Sequence, residues 1–132
     1  MQPWYFYVVK NADVKQKIAD ACYEQNQVLE APVSIVIMAD PARSNELYGE
    51  RGAQLYCIQD TAAATENMIL AANGLGIASC WVGAFDERKV QEAVEAPPRL
   101  RAVAILCLGY SNELSPRPKE RLRVAEVAKF IN

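Results

Sequence analysis

Two stretches of this 132-residue chain are apolar at almost every position: Pro32-Val33-Ser34-Ile35-Val36-Ile37-Met38, and the run from Leu100 to Leu108 that contains Val103, Ile105 and Leu106. Each is too short for a typical helix and rich in β-branched residues. That combination predicts interior strands buried on both faces. A sheet with two such strands needs helices to flank it, which restricts the chain to a layered α/β or α+β domain.

The remaining elements are read from periodicity and punctuation. Trp4-Tyr5-Phe6-Tyr7-Val8-Val9 is aromatic and β-branched and ends at Lys10-Asn11, which predicts a strand over 4–9. Asp13 is placed to cap a helix over 13–25, with Val14, Ile18, Ala21 and Cys22 along one apolar stripe. Residues 40–51 carry Pro41, Ser44, Asn45 and Gly49, which interrupt any period and predict a surface loop. A mostly enclosed helix is expected over 52–73, with Leu55, Ile58, Ala62, Ile69 and Ala72 on one face and Asn73-Gly74 supplying the left-handed residue that ends it. Strands are expected at 33–38, 77–82 and 101–108, a helix capped by Asp86 over 87–95, and a short amphipathic stretch over 124–130.

Composition removes many functions. The formal charge is −2, without the basic excess of a nucleic-acid binder. There is no His, which excludes Ser-His-Asp and Cys-His catalysis and His-ligated metal sites. The four cysteines are far apart and never in CxxC, so they read as reduced thiols in a cytoplasmic protein, buried as small apolar side chains. No apolar run approaches the ~20 residues that span a bilayer. The 52% hydrophobic content fits one domain with a core of its own.

Six short motifs occur in order: Gln2-Pro3-Trp4, Ala31-Pro32-Val33, Tyr48-Gly49-Glu50-Arg51-Gly52, Gly74-Leu75-Gly76, Ser79-Cys80-Trp81-Val82-Gly83-Ala84-Phe85 and Leu108-Gly109-Tyr110. With these motifs the chain closely resembles the flavin-dependent nitroreductase family over essentially its whole length. The resemblance implies an α+β layered fold with a mixed, mainly antiparallel sheet between helices. It also implies a homodimer with flavin mononucleotide (FMN) at the subunit interface, and electron transfer from NAD(P)H to a nitroaromatic, quinone or similar small-molecule acceptor. Family members carry an Arg-Arg-Ser-like helix ahead of Gln-Pro-Trp, whereas here Met1 directly precedes Gln2. The expectation is a single domain that lacks this segment and its share of the flavin phosphate site, and that takes flavin weakly by itself.

A flavin asks a protein for phosphate neutralisation, an apolar slot and polar hydrogens at the ring edge; the cofactor supplies the redox chemistry. For the ring, the resemblance points to Val82, Gly83 and Ala84, whose backbone would pass the flavin edge. Gly83 has no β-carbon to hold a planar ligand away. The plainer reading is a strand end and turn with core aromatics. For the phosphate, Lys119 and Arg121 stand two apart in Pro118-Lys119-Glu120-Arg121-Leu122, so an extended backbone would put an ammonium and a guanidinium on one side. The plainer reading is a solvated basic tail. No catalytic side chain and no metal ligand is expected, and a non-catalytic ligand-binding or interaction module remains the alternative function.

Overall fold

The computed structural model describes residues 1–23, 25–112 and 120–131. Four strands, β1 (Trp4–Val9), β2 (Val33–Ala39), β3 (Ala78–Val82) and β4 (Arg101–Gly109), form one sheet in the order β1-β2-β4-β3. All three pairings are antiparallel. The two most apolar strands occupy the centre, as their composition requires, and the shorter β1 and β3 take the edges. Between Ile37 and Met38 the register shifts, so that Ala104 opposes Ile37 while Ala102 opposes Met38.

Each face of the sheet is covered. On one side α1 (Ala12–Ala21), α2 (Gln27–Glu30) and α5 (Glu87–Ala93) bury Ile18, Cys22, Val28 and Val90 against Val36, Met38, Ile105 and Val82. On the other, α4 (Cys57–Gly74) lays Met68 and Ile69 over Ile37, Ala104 and Leu106. The layered α+β fold expected from the sequence is therefore present, with helices on both faces.

Several local expectations change. Residues 40–51 are not a loop: Pro41–Arg51 forms helix α3, whose first turn is capped by the Asp40 carboxylate accepting from the Arg43 amide at 3.2 Å, with Pro41 at the start. A kink at Gly49, φ 59° and ψ −152°, interrupts α3 near its end, just ahead of the π-helical turn Gly52–Tyr56 that leads into α4. Helix α1 is capped two residues earlier than expected, by Asn11 Oδ1 accepting from the Val14 amide at 3.0 Å. It ends at Ala21.

The α4 helix is half open, not enclosed. Ala62, Ala63 and Leu70 face outward while Cys57, Thr61, Thr65 and Ala72 are buried. Of the expected stripe Ile69 and Ala72 do face the core and Ala62 does not. What hydropathy misses is the buried threonines, which satisfy themselves, Thr61 Oγ1 donating to the Cys57 carbonyl at 3.0 Å and Thr65 Oγ1 to the Thr61 carbonyl at 2.8 Å. The helix closes in a Schellman motif, Ile77 N–H to Ala72 O at 2.9 Å and Gly76 N–H to Asn73 O at 3.0 Å. The left-handed residue is thus Gly76, φ 72°, instead of Asn73 or Gly74.

Candidate functional site

The β3–β4 ladder ends at Val82, opposite Ile105. Val82 is fully buried and anchors the segment in the core, while Gly83 and Ala84 emerge at the surface. Side-chain and backbone hydrogen bonds hold this bend in place. Gln25 Nε2 donates to the Ala84 carbonyl at 2.7 Å and to the Cys22 carbonyl at 2.8 Å, and the Asp86 amide donates to the Ala21 carbonyl at 2.9 Å. The bend is thereby tied to the end of α1. Asp86 then caps α5 through the Lys89 amide at 3.1 Å. Nothing in the local sequence marks Gln25, because its role depends on a contact 59 residues away.

The outer surface of this bend is open at Gly83. A β-carbon added at Gly83 would meet only the Trp81 indole, at 3.7 Å from Nε1. Trp81 itself is 42% exposed on an edge strand. The Ala84 amide has no acceptor among the loop and turn hydrogen bonds of the described residues. An apolar ring, an uncovered stretch of main chain and an amide without a loop partner suit the edge of a planar, hydrogen-bonding heterocycle. Of the residues that the sequence motif singles out, Gly83 and Ala84 form this surface, whereas the Val82 side chain points into the core and offers none.

The cationic pair is different. Lys119 lies outside the described residues. Arg121 is exposed, and its guanidinium donates to the Glu120 carbonyl at 3.3 Å. Among the described residues no hydrogen bond or ion pair joins Arg121 to the bend at 82–84. The short helix α6 (Val124–Val127) is fully exposed, as are Leu122, Phe130 and Ile131 around it. This terminal segment carries its apolar side chains on the outside of the single chain.

A cleft of about 910 Å³ opens at the other end of β3, lined by Ile69, Asn73, Ala78, Cys80, Cys107 and Tyr110 among others. Its size is that of a small-molecule pocket. Gly83 does not line it. Among the described residues no cluster of His, Cys, Asp or Glu suits a metal ion, and no helix is long and apolar enough to cross a membrane.

Charge near the bend is modest. Arg101 clamps Glu87 with two bonds of 2.9 Å, and this guanidinium holds the Glu87 carboxyl below the usual carboxylate range. The pair ties α5 to β4, which keeps the loop after Gly83 in place.

Known proteins share both the sequence pattern and the fold. The profile of the Nitroreductase family matches residues 27–110. A "Putative NADH dehydrogenase/NAD(P)H nitroreductase" from Archaeoglobus fulgidus is 34% identical over 116 residues, covering 85% of this chain and 63% of the relative. A solved nitroreductase family protein from Clostridium novyi NT superposes with a TM-score of 0.73 at 35% identity, over 83% of this chain and 63% of that one. The NADPH:FMN oxidoreductase of Vibrio harveyi, solved with NAD+, has a TM-score of 0.86 at 20% identity, over 99% and 60% of the two chains, a likeness of fold. The chain spans less than two thirds of the length of all three.

Proposed function

The chain belongs to the nitroreductase family, and from that premise we propose that it is the flavin-binding domain of an FMN-dependent oxidoreductase that takes electrons from NAD(P)H and passes them to a nitroaromatic, quinone or similar acceptor. The observation that carries the reading is the bend at Gly83 and Ala84: exposed residues beside a half-open indole, with room at Gly83 and no loop acceptor for the Ala84 amide. When bound, FMN supplies the hydride chemistry. The protein's share is to hold and orient it. Ala84 N–H donates a hydrogen bond to the ring edge, Trp81 shields one side from water, and Lys119 and Arg121 neutralise the phosphate.

The surface supports a second part of the proposal, a homodimer. Trp81, Leu70, Leu122, Val124, Val127, Phe130 and Ile131 are all between 42% and 90% exposed, apolar side chains that association would bury. A second copy would cover it and would bring a partner's terminal segment to the bend. The free state of all four cysteines fits a reducing, cytoplasmic setting.

Oxidation of NADH or NADPH, followed by absorbance with a quinone as acceptor, tests the activity. Turnover is expected to require added FMN and to follow ping-pong kinetics, with the donor's product leaving before the acceptor enters. Binding of FMN without any donor oxidation would leave a ligand-binding module and refute the oxidoreductase.

A further inference from the structure

Cys80 in β3 and Cys107 in β4 are direct partners in the register of the sheet. Their side chains therefore leave the same face, with β-carbons about 4.5–5.5 Å apart, as for any directly opposed antiparallel pair. A disulfide needs Cα atoms roughly 4.4–6.8 Å apart and β-carbons about 3.5–4.5 Å apart. The pair stands at the edge of bonding range, and a small shift of the edge strand toward β4 brings it inside.

Their surroundings differ in a useful way. Both line the 910 Å³ cleft at the start of β3, but Cys80 is exposed on an edge strand and Cys107 is only 3% exposed. The apolar neighbours of each cysteine predict that all are buried; Cys80 corrects this, because the order of strands that puts β3 at the edge is not written in local residues. The Ser34 hydroxyl lies 3.9 Å from Cys107 Sγ, as a weak donor to it. Cys22 is also close to Cys107, and burial pushes the thiols of both upward, that of Cys22 to about 11. Cys22 differs in being fully buried and in having no opposite partner in the sheet. Of the four cysteines only Cys80 is exposed to a dissolved oxidant, and Cys107 is its direct neighbour in the sheet.

We infer that Cys80 and Cys107 form a peroxide-sensitive dithiol, in which Cys80 is the sulfur attacked first and Cys107 resolves it. Cys80 Sγ attacks one oxygen of hydrogen peroxide, the O–O bond breaks, and Cys80 becomes a sulfenic acid with loss of one water. Cys107 Sγ then attacks Cys80 Sγ, the S–O bond breaks, and the departing hydroxide takes the Cys107 proton to leave as a second water. Two thiols and one peroxide thus yield one disulfide and two waters. The two electrons come from the sulfurs, so the step is independent of flavin and stands or falls apart from the oxidoreductase reading. The bond would lock the edge strand to its neighbour across the mouth of the cleft.

The test is to treat the full chain with hydrogen peroxide, denature it, count thiols with a chromogenic disulfide reagent and map the linked peptides by mass. Four free thiols per chain are expected to fall to two and to return to four with a dithiol reductant, with Cys80 joined to Cys107 inside one chain. Cys80→Ser is expected to keep its three thiols under the same treatment. Cys107→Ala is expected to lose one, because Cys80 is still oxidised but nothing resolves it. If Cys107→Ala does not fold, Cys80→Ser and the peptide map decide. An unchanged count of four, a Cys22–Cys107 link, or covalent dimers through Cys80 would overturn the inference.

Discussion

Gly52→Ala is expected to destabilise the fold by about 1–3 kcal/mol, although alanine is the better helix former. Propensity alone would favour the alanine by roughly 1 kcal/mol. Space decides otherwise. A β-carbon at Gly52 would press on the Ser44 carbonyl oxygen and lie 2.8 Å from Tyr48 Cβ and 2.9 Å from the Ser44 carbonyl carbon. Two of these atoms are backbone of α3, so relief means moving a helix and not turning a side chain, and overpacking of this kind costs about 1–3 kcal/mol. The π-helical turn and the kink at Gly49 are the local record of the same close approach. The Ser44 hydroxyl is buried there without a hydrogen-bond partner among the described residues. Gly74→Ala is the matched control. It sits in the last turn of α4 with nothing within 4 Å of the added atom, and a gain of up to about 1 kcal/mol is expected. Thermal or urea unfolding of the two variants should show shifts of opposite sign; equal shifts would refute the crowding argument.

Replacing both Lys119 and Arg121 with Ala is expected to remove the preference for FMN over riboflavin. The two ligands share a ring and differ by a phosphate, so their ratio isolates the cationic pair from the bend at Gly83. Two charge-assisted hydrogen bonds at roughly 1.5–3 kcal/mol each amount to two to four powers of ten in affinity. Riboflavin binding should be nearly unchanged in the double variant, and folding unaffected, since Arg121 bonds only to the carbonyl of its neighbour among the described residues. Fluorescence titration with both ligands, on wild type and variant, gives the four constants. Equal losses for both ligands would mean that the tail supports the fold or the dimer and does not contact the phosphate.

How much of the fold and the site is legible in the sequence varies with the physics of each element. The two central strands announce themselves because burial on both faces leaves no room for polar residues, and β1 does so through its aromatics. The α3 helix is hidden although Asp40-Pro41 is a start signal in plain view. Ser44, Asn45 and Gly49 break the period, and the close approach of Gly52 to the Ser44 backbone is a tertiary fact that local pattern does not carry. The α4 helix is visible and so is part of its inward face, Ile69 and Ala72, but not Thr61 and Thr65, because threonines bonded to the preceding turn pass for surface residues. The bend at 82–84 is legible through the family resemblance, and its geometry through Gly83. Gln25, which secures it, belongs to no local pattern. The exposure of Cys80 stems from strand order, which no single segment encodes.

The central claim is that the surface around Gly83 holds a flavin that a nicotinamide donor can reduce. Anaerobic titration of the FMN-loaded chain with NADH or NADPH, read as loss of the flavin's visible absorption, tests it in one cuvette. Stoichiometric bleaching, with recovery of the yellow colour on admission of a quinone, is the expected result. Free FMN that stays unbound at saturating protein, or bound FMN that the donor leaves oxidised, would contradict it.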